Sequence, residues 1–249
     1  MVADASLTAR VREAAGAHLR AAADRVVRAP WGWAVRTDAV PHWHDLNMVV
    51  IDRPAPQLDA EGVEALCDEL FAGMPERVAE VWEPETADRL CPAGWSRDRF
   101  ATFAHRGPVP ARPARVEEVA RERVGALRRR WLREDDLPAV FLDEAAIGEG
   151  LVFSATPTRA FAVVEDGEPV ATALLVGGGR ERMVEDVYAV PDARGRGLGR
   201  DVVRTAVAEA YAAGADLVWL ATEDDGPAVP LYRREGFSLV SRATQCMRP

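Results

Sequence analysis

Residues 187–200 read VYAVPDARGRGLGR, and this stretch decides the fold of the C-terminal half of the chain. An apolar run ends at Pro191, three glycines alternate with arginines, and Leu198 and Val202 then open a helical apolar pattern. A strand, a glycine-rich turn and a helix are therefore expected in direct succession. The first N–H groups of such a helix have no partner within it, so they attract anions.

The turn has the features of a diphosphate-binding site. Glycine lets the backbone approach a phosphate closely, and the helix dipole adds about 0.3–2 kcal/mol for a nearby negative charge. Arg194, Arg196 and Arg200 supply charge-assisted contacts. A tight turn whose glycines serve packing alone is the structural alternative.

Two other glycine-rich motifs fit less well. A dinucleotide-binding fingerprint requires G-x-G-x-x-G, whereas the glycines here stand at 195, 197 and 199, and no acidic residue ends a following strand about 20 residues on. A P-loop requires a lysine after its last glycine, and the chain contains no lysine. The first motif is disfavoured and the second is excluded.

The stretch resembles the acetyl-CoA motif of the GNAT superfamily of N-acyltransferases, with Arg194, Gly197 and Gly199 at the motif positions. Residues 231–237, which read LYRREGF, resemble the second signature of that superfamily. The resemblance covers about residues 114–249. The order of predicted elements agrees, because it gives an α/β fold with a mixed sheet and helices on both sides. We predict helices at 116–133, 139–147, 197–213 and 227–235, and strands at 160–164, 170–176, 183–190, 217–221 and 237–247.

The resemblance implies that strand 183–190 separates from its neighbour and pairs its open edge with the pantetheine arm of acetyl-CoA. The backbone N–H groups there are also candidates to polarise the thioester carbonyl. Asp225 stands where the family usually has Asn, and its carboxylate is expected to cap the next helix. The implied cofactor-binding residues are Val187, Tyr188, Ala189, Arg194, Gly195, Arg196, Gly197, Leu198, Gly199, Arg200 and Asp225.

Two side chains are candidates for proton transfer. Tyr232 matches the position where the family commonly places the general acid for the departing thiolate, and the alternative is a tyrosine that only packs on the cofactor arm. The attacking amine needs a proton acceptor, for which we favour Glu185 over Glu223 and Asp224. An ordinary surface carboxylate on an alternating strand is the competing interpretation of Glu185.

The N-terminal half repeats the same order of elements more faintly. A strand at 46–51, a helix at 63–74 and a strand at 78–82 precede residues 87–95, which align with 228–237. Leu90 then stands opposite Tyr232, and the phosphate turn becomes Arg-Pro-Ala-Pro at 53–56, whose prolines lack N–H groups. We predict two GNAT-like domains in tandem: a degenerate domain at 1–107, a proline-rich linker at 108–113 and a catalytic domain at 114–249.

Composition limits the partners. The formal charge of −9 disfavours nucleic acid, and no apolar stretch is long enough to cross a bilayer. Cys67, Cys91 and Cys246 are widely spaced, which predicts neither a disulfide framework nor a zinc site and favours the cytoplasm. His42 and His44 would share one face of a strand, either as a polar pair or, without an evident third ligand, as part of a metal site.

These features predict an enzyme that transfers acetyl from acetyl-CoA to a primary amine of a small molecule or peptide by direct attack. No metal, nucleic acid or membrane is expected to take part, and the protein is expected to be a monomer or homodimer. The alternatives are an acyl-CoA sensor without catalysis and a scaffold without affinity for acetyl-CoA. Arg128, Arg129 and Arg130 lie on a helix that lines the acceptor side in the family, although a solvated face explains them equally well.

Overall fold

Eleven strands form one mixed sheet in the computed structural model, which describes residues 5–82, 84–134 and 139–248. The N-terminal half contains α1 (Ala5–Ala22), β1 (Arg25–Ala29), β2 (Gly32–Arg36), a 3-10 turn (His44–Leu46), β3 (Met48–Ile51), α2 (Ala60–Leu70), β4 (Arg77–Val81), α3 (Pro84–Leu90) and β5 (Ser96–His105). The C-terminal half contains β6 (Val116–Val119), α4 (Arg121–Glu134), α5 (Ala139–Ala155), β7 (Thr158–Glu165), β8 (Glu168–Val176), β9 (Glu181–Ala189), a 3-10 turn (Pro191–Ala193), α6 (Leu198–Ala212), β10 (Leu217–Glu223), α7 (Val229–Arg234) and β11 (Phe237–Arg248). The expected mixed α/β fold is confirmed.

The predicted helix at 116–133 is wrong at its start. Residues Val116–Val119 form β6, which pairs antiparallel with β7, and the helix begins only at Arg121. Val116 is buried against the sheet core while the two glutamates after it are exposed. This edge strand is too short for its alternation to be distinguished from the first turn of a helix.

The predicted hairpin between β7 and β8 is confirmed. Its two turn residues, Asp166 and Gly167, have φ values of 50° and 85°. Two successive positive φ values belong to the type I′ turn, whose twist matches that of the flanking strands.

Each half of the chain completes the sheet of the other. The strand order is β1-β2-β3-β4-β11-β5-β10-β9-β8-β7-β6, so β5 lies between β10 and β11, and β11 lies between β4 and β5. Phe103 of β5 accordingly belongs to the core beneath α6, and Cys246 of β11 belongs to the core beneath α2. The domain division at 108–113 stays a prediction: the chain is coil there, but the strands on its two sides interleave.

The prediction that the cysteines form no disulfide is wrong, because the two halves exchange strands. Cys91, just after α3, forms a disulfide with Cys246 of β11, with 5.9 Å between their Cα atoms. They are 155 residues apart in sequence, and their proximity follows from the crossing of β11 into the N-terminal half. Cys67 is free and buried, and burial raises the pKa of its thiol to about 12.

Helices cover both faces of the sheet. On one face α6 packs over β8 and β9, and α2 packs over β4. On the other face α1 contacts α5, and its apolar side chains pack against residues of both halves, including Trp33 and Trp219. Within the described ranges, no helix combines the length and apolar character needed to span a membrane.

Candidate active site

The parallel strands β9 and β10 separate soon after they begin. Their pairing is confined to Leu217–Glu181, Val218–Arg182 and Trp219–Met183. A bulge follows on β9, where Asp186 has a φ of 50° and the register against β8 shifts. The remainder of β9, with Val187, Tyr188 and Ala189, therefore lies beside a gap rather than beside β10, as the resemblance implies.

The glycine-rich turn lies at the open end of this gap. Gly195 and Gly197 both have a φ of 76°, a left-handed conformation that disfavours any residue with a Cβ. Gly197 is the N-cap of α6, so the amides of Leu198, Gly199 and Arg200 fall in the first helical turn, where helix geometry provides no carbonyl partner. The turn can therefore offer several N–H groups to an anion.

The three arginines of the turn make ion pairs on the protein surface. Arg194 bonds Glu134 at 2.7 Å and lies over the Tyr188 ring, whose hydroxyl donates to the same carboxylate. Arg196 bonds Glu165 at 2.5 Å, and Arg200 bonds Asp201 at 3.0 Å. Each guanidinium is about half exposed, and the pairs with the partly exposed Glu134 and Glu165 are worth roughly 0–1 kcal/mol. The Asp201 carboxylate is buried and also bonds Arg115 at 2.6 Å. A diphosphate, with its greater charge, can replace these carboxylates.

The gap opens into a cavity of about 1400 Å³ that both halves line. Its floor is one continuous face of the sheet from β4 through β11, β5 and β10 to β9, and α1, α4 and α5 also contribute walls. Most of the predicted site residues line it, namely Glu185, Val187, Tyr188, Ala189, Arg194, Gly195, Gly197, Leu198, Gly199, Arg200 and Tyr232. Arg196 does not line it, because its side chain is directed to Glu165.

Glu185 stands on the cavity floor, two residues beyond the last pair of β9 with β10. Burial raises the pKa of its carboxyl group to about 7, with Arg128 opposing this shift and Asp45 adding to it. Of the alternative carboxylates, Glu223 lines the cavity but is exposed, and Asp224 is held by Arg242 at 2.8 Å. A carboxyl group with a pKa near 7 is matched to proton transfer at neutral pH.

Tyr232 lies in α7 with only 6% of its surface exposed, and its ring packs edge-on against Phe237. Burial raises the pKa of its hydroxyl to about 12. The side chain lines the same cavity as Glu185 and the glycine turn, so the structure brings both predicted proton-transfer residues to the same cavity as the anion site.

The expected capping role of Asp225 is wrong. The N-cap of α7 is Ala228, which makes no side-chain capping bond, and Pro230 occupies the first turn. Asp225 is exposed in the preceding loop and does not line the cavity. The N-cap lies three residues after Asp225 because a turn intervenes. In that turn the Gly226 N–H donates to the Glu223 carbonyl.

The sequence did not identify the N-terminal residues of the cavity. Trp33, Trp82, Asp45 and Glu80 all line it, although they precede the C-terminal half. The available signal is the alternation of Val78 and Glu80 on β4 with Trp82 just after it, which places a carboxylate in an otherwise apolar row. Among the three consecutive arginines of α4, Arg128 lines the cavity, whereas Arg129 and Arg130 are exposed.

The corresponding site in the N-terminal half is closed. Its parallel strands β3 and β4 stay paired to their ends, where Trp82 N–H donates to the Ile51 carbonyl at 2.9 Å. Arg12 of α1 donates to the carbonyls of Asp52 and Trp82 at 3.1 and 2.8 Å, across the end of this pair. Among the described residues of this half the gap is therefore absent, and the prolines at 54 and 56 remove two N–H groups from the following loop.

His42 and His44 do not form a metal pair on a strand. They lie in and before the 3-10 turn, where His42 bonds Glu144 at 2.7 Å and His44 bonds Glu76. Each imidazole therefore has its own carboxylate. Across the described parts of the chain, no group of three or more metal-ligating side chains of the His, Cys, Asp or Glu type is found.

Comparisons with known proteins agree with this geometry. A model of the acetyltransferase (GNAT) family matches residues 116–237. A GCN5-related N-acetyltransferase from Kribbella flavida superposes with a TM-score of 0.70 at 24% identity, over 100% of this chain and 97% of that chain. A tandem GNAT protein from the clavulanic acid biosynthesis pathway gives 0.52 at 17% identity, over 76% and 67%. A functionally unknown conserved protein from Staphylococcus epidermidis ATCC 12228 gives 0.63 at 9% identity, over 91% and 94%.

Similarity at these identities shows the fold alone, and it supports the expected tandem arrangement of two GNAT-like halves. Among curated proteins, none matches the chain significantly. Residues 116–237 of this chain are thus a GNAT acetyltransferase domain.

Proposed function

We propose that this protein transfers acetyl from acetyl-CoA to a primary amine by direct attack. The observation that carries the proposal is the separation of β9 from β10 beside a glycine turn that opens α6, with Glu185 and Tyr232 in the same cavity. Acetyl-CoA, when bound, supplies an activated thioester carbonyl. The left-handed glycines and the amides of the first turn of α6 fit its diphosphate.

The open part of β9 would orient the pantetheine arm. Its edge has lost β10 as a partner, so an extended chain with amide groups can pair with the backbone of Val187 and Ala189 as an added strand. An N–H group directed at the thioester oxygen would stabilise developing negative charge, a contribution of about 2.7–4 kcal/mol per donor in other enzymes.

Glu185 would accept the proton from the attacking amine, directly or through one water. The pKa of an alkylammonium group is near 10, as in lysine, so the residue that accepts its proton should be as basic as possible. A carboxylate with a pKa of about 7 is a stronger base than an unperturbed glutamate by about 2.5 pKa units. Raising the basicity in this way requires burial, which the cavity floor provides.

Tyr232 would hydrogen-bond the departing sulfur. With a hydroxyl pKa of about 12 against about 8.5 for a thiol, complete proton transfer is uphill by about 3.5 pKa units, or roughly 5 kcal/mol. We therefore assign Tyr232 a hydrogen bond that strengthens as charge forms on sulfur, with proton transfer concerted with bond cleavage.

The test is thiol release from acetyl-CoA with a panel of amines, measured on the full chain. Glu185→Gln and Tyr232→Phe are each expected to lower kcat by about 10²-fold or more while leaving the Kd of acetyl-CoA within about threefold. Tyr211→Phe is the matched control, because Tyr211 does not line the cavity and its hydroxyl contacts His105 instead.

Two outcomes would contradict the proposal. Tight acetyl-CoA binding without turnover of any amine would indicate a sensor, and the absence of binding at millimolar acetyl-CoA would indicate a scaffold. We further propose that residues 1–107 act through the acceptor side of the cavity, and that a small amine, rather than nucleic acid or a membrane, is the partner.

A further inference from the structure

The acceptor side of the cavity carries more negative than positive charge. Five carboxylates line this region, and the guanidinium of Arg128 is the cation among them; the carboxylates belong to Asp45, Glu80, Glu149, Glu185 and Asp186. His18 also lines the cavity, but burial lowers the pKa of its imidazole and favours the neutral form. The region therefore has the charge balance of a site for cations.

Arg128 shows how this cavity binds a cation. Its guanidinium lies between the rings of Trp43 and Trp131, at 5.7 and 5.6 Å from their centroids, and forms ion pairs with Glu149 and Asp186. Aromatic faces combined with carboxylates are an arrangement that favours organic cations. These two carboxylates thereby share one cation that the protein itself supplies.

The other three carboxylates have no such partner. In the parts of the chain that the structure describes, no Arg or His forms an ion pair with Asp45, Glu80 or Glu185. The Glu80 carboxylate accepts a hydrogen bond from the Trp82 indole N–H, which holds it at the cavity wall. Asp45 lies close enough to act electrostatically on both glutamates.

Burial is the main cause that raises the pKa of Glu80 to about 7, as it does for Glu185, and the Asp45 carboxylate adds to the shift in both. A cation beside either glutamate would relieve these effects. Because both glutamates are only partly exposed, the attraction would exceed that of a fully exposed ion pair.

We propose that the acceptor is a small molecule with two cationic groups, and that the N-terminal half binds the group that does not react. Glu80 and Asp45 would hold the distal ammonium, while the reacting amine lies at Glu185 beside the open edge of β9. This inference rests on the proposed function for the reaction itself. It assigns a substrate class to the site and a binding role to the half that has lost its own cofactor groove.

The test compares 1,8-diaminooctane with octylamine, which has the same carbon chain and one charge fewer. A long diamine is needed because Glu80 on β4 and Glu185 on β9 stand four strands apart in the sheet, about 19 Å at the usual spacing. Equilibrium binding is measured first, by the tryptophan fluorescence of the full chain, since Trp33, Trp43, Trp82, Trp131 and Trp219 line the cavity. We expect the diamine to bind roughly ten- to a hundredfold more tightly, the range for a hydrogen bond to a charged group.

Glu80→Gln keeps the size of the side chain and removes its charge, so it should reduce this preference at least about tenfold. In thiol-release assays the loss should appear in the KM of the diamine and not in the Kd of acetyl-CoA. Glu69→Gln is the control, since Glu69 is exposed on α2 in the same half. Asp45→Asn, at an exposed position, provides a second variant if Glu80→Gln does not fold.

Equal affinity for the diamine and octylamine, or a preference that both variants leave intact, would overturn this inference without affecting the proposed transferase activity. Conversely, selective diamine binding without thiol release would overturn the proposed activity and leave the cation site in place. The two failures are therefore distinguishable.

Discussion

Glu185→Gln should stabilise the protein at alkaline pH while it abolishes most activity. In the folded state burial raises the pKa of Glu185 from 4.5 to about 7, so folding takes up a proton between these values. The contribution of Glu185 to the free energy of unfolding is therefore fully present below pH 4.5 and is lost as the pH rises through 7. At 1.36 kcal/mol per pKa unit, the loss amounts to about 3 kcal/mol at pH 8 and somewhat under 1 kcal/mol at pH 5.

Chemical denaturation of wild type and variant at pH 5 and pH 8 measures this difference. The stability of the variant relative to wild type should increase by about 2.5 kcal/mol between the two values. In parallel, kcat/KM of the wild type should rise with pH through about 7, and the variant should lose that limb. If the relative stability does not change with pH, then Glu185 is not a buried carboxyl group and our assignment of the base is wrong.

Four further outcomes are expected. Tyr232→Phe should lower kcat about 10²-fold with an unchanged KM for acetyl-CoA, and a normal kcat would leave the tyrosine a packing role only. Gly197→Ala should lower the free energy of unfolding by about 1–2 kcal/mol in chemical denaturation, because φ is 76° at this position, and should weaken the affinity for acetyl-CoA in calorimetry. An unchanged stability and affinity would contradict the turn geometry. Cys246→Ser should lower the free energy of unfolding by about 2–5 kcal/mol, and a stability equal to that of wild type would show that no disulfide contributes. Residues 114–249 should not fold as a monomer without β5 but should be rescued by co-expressed residues 1–107, as judged by solubility and size-exclusion chromatography.

The local features of the site could be predicted from sequence because each depends on residues close together in the chain. The Asp166–Gly167 hairpin, the turn before α6 and the strand ahead of Pro191 all follow from backbone preferences within a few residues. Even the closed N-terminal copy is anticipated by the prolines at 54 and 56. The Arg12 side chain, which bonds across the ends of β3 and β4, also closes this copy, and no local pattern in the sequence indicates that contact.

The remaining features depend on contacts between distant segments. Cys91 and Cys246 meet only because β11 crosses to β4, and nothing in their spacing reveals that crossing. The family resemblance places Asp225 at the N-cap of the next helix, but a turn intervenes and α7 begins at Val229. Strand order is a property of the whole sheet, so periodicity can identify a strand without indicating its neighbours.

The interleaved strands give the N-terminal half a structural role in the sheet of the C-terminal half. Phe103 of β5 is fully buried in the core beneath α6, and the pairing of β5 with both β10 and β11 supplies hydrogen bonds that the C-terminal half has no strand of its own to replace. The first half therefore makes a structural contribution that does not depend on a ligand of its own. The same exchange extends the cavity floor from β9 to β4, which brings Glu80 into the cavity that Glu185 and Tyr232 line. The N-terminal half thus supplies both a strand to the sheet of the C-terminal half and side chains to its cavity.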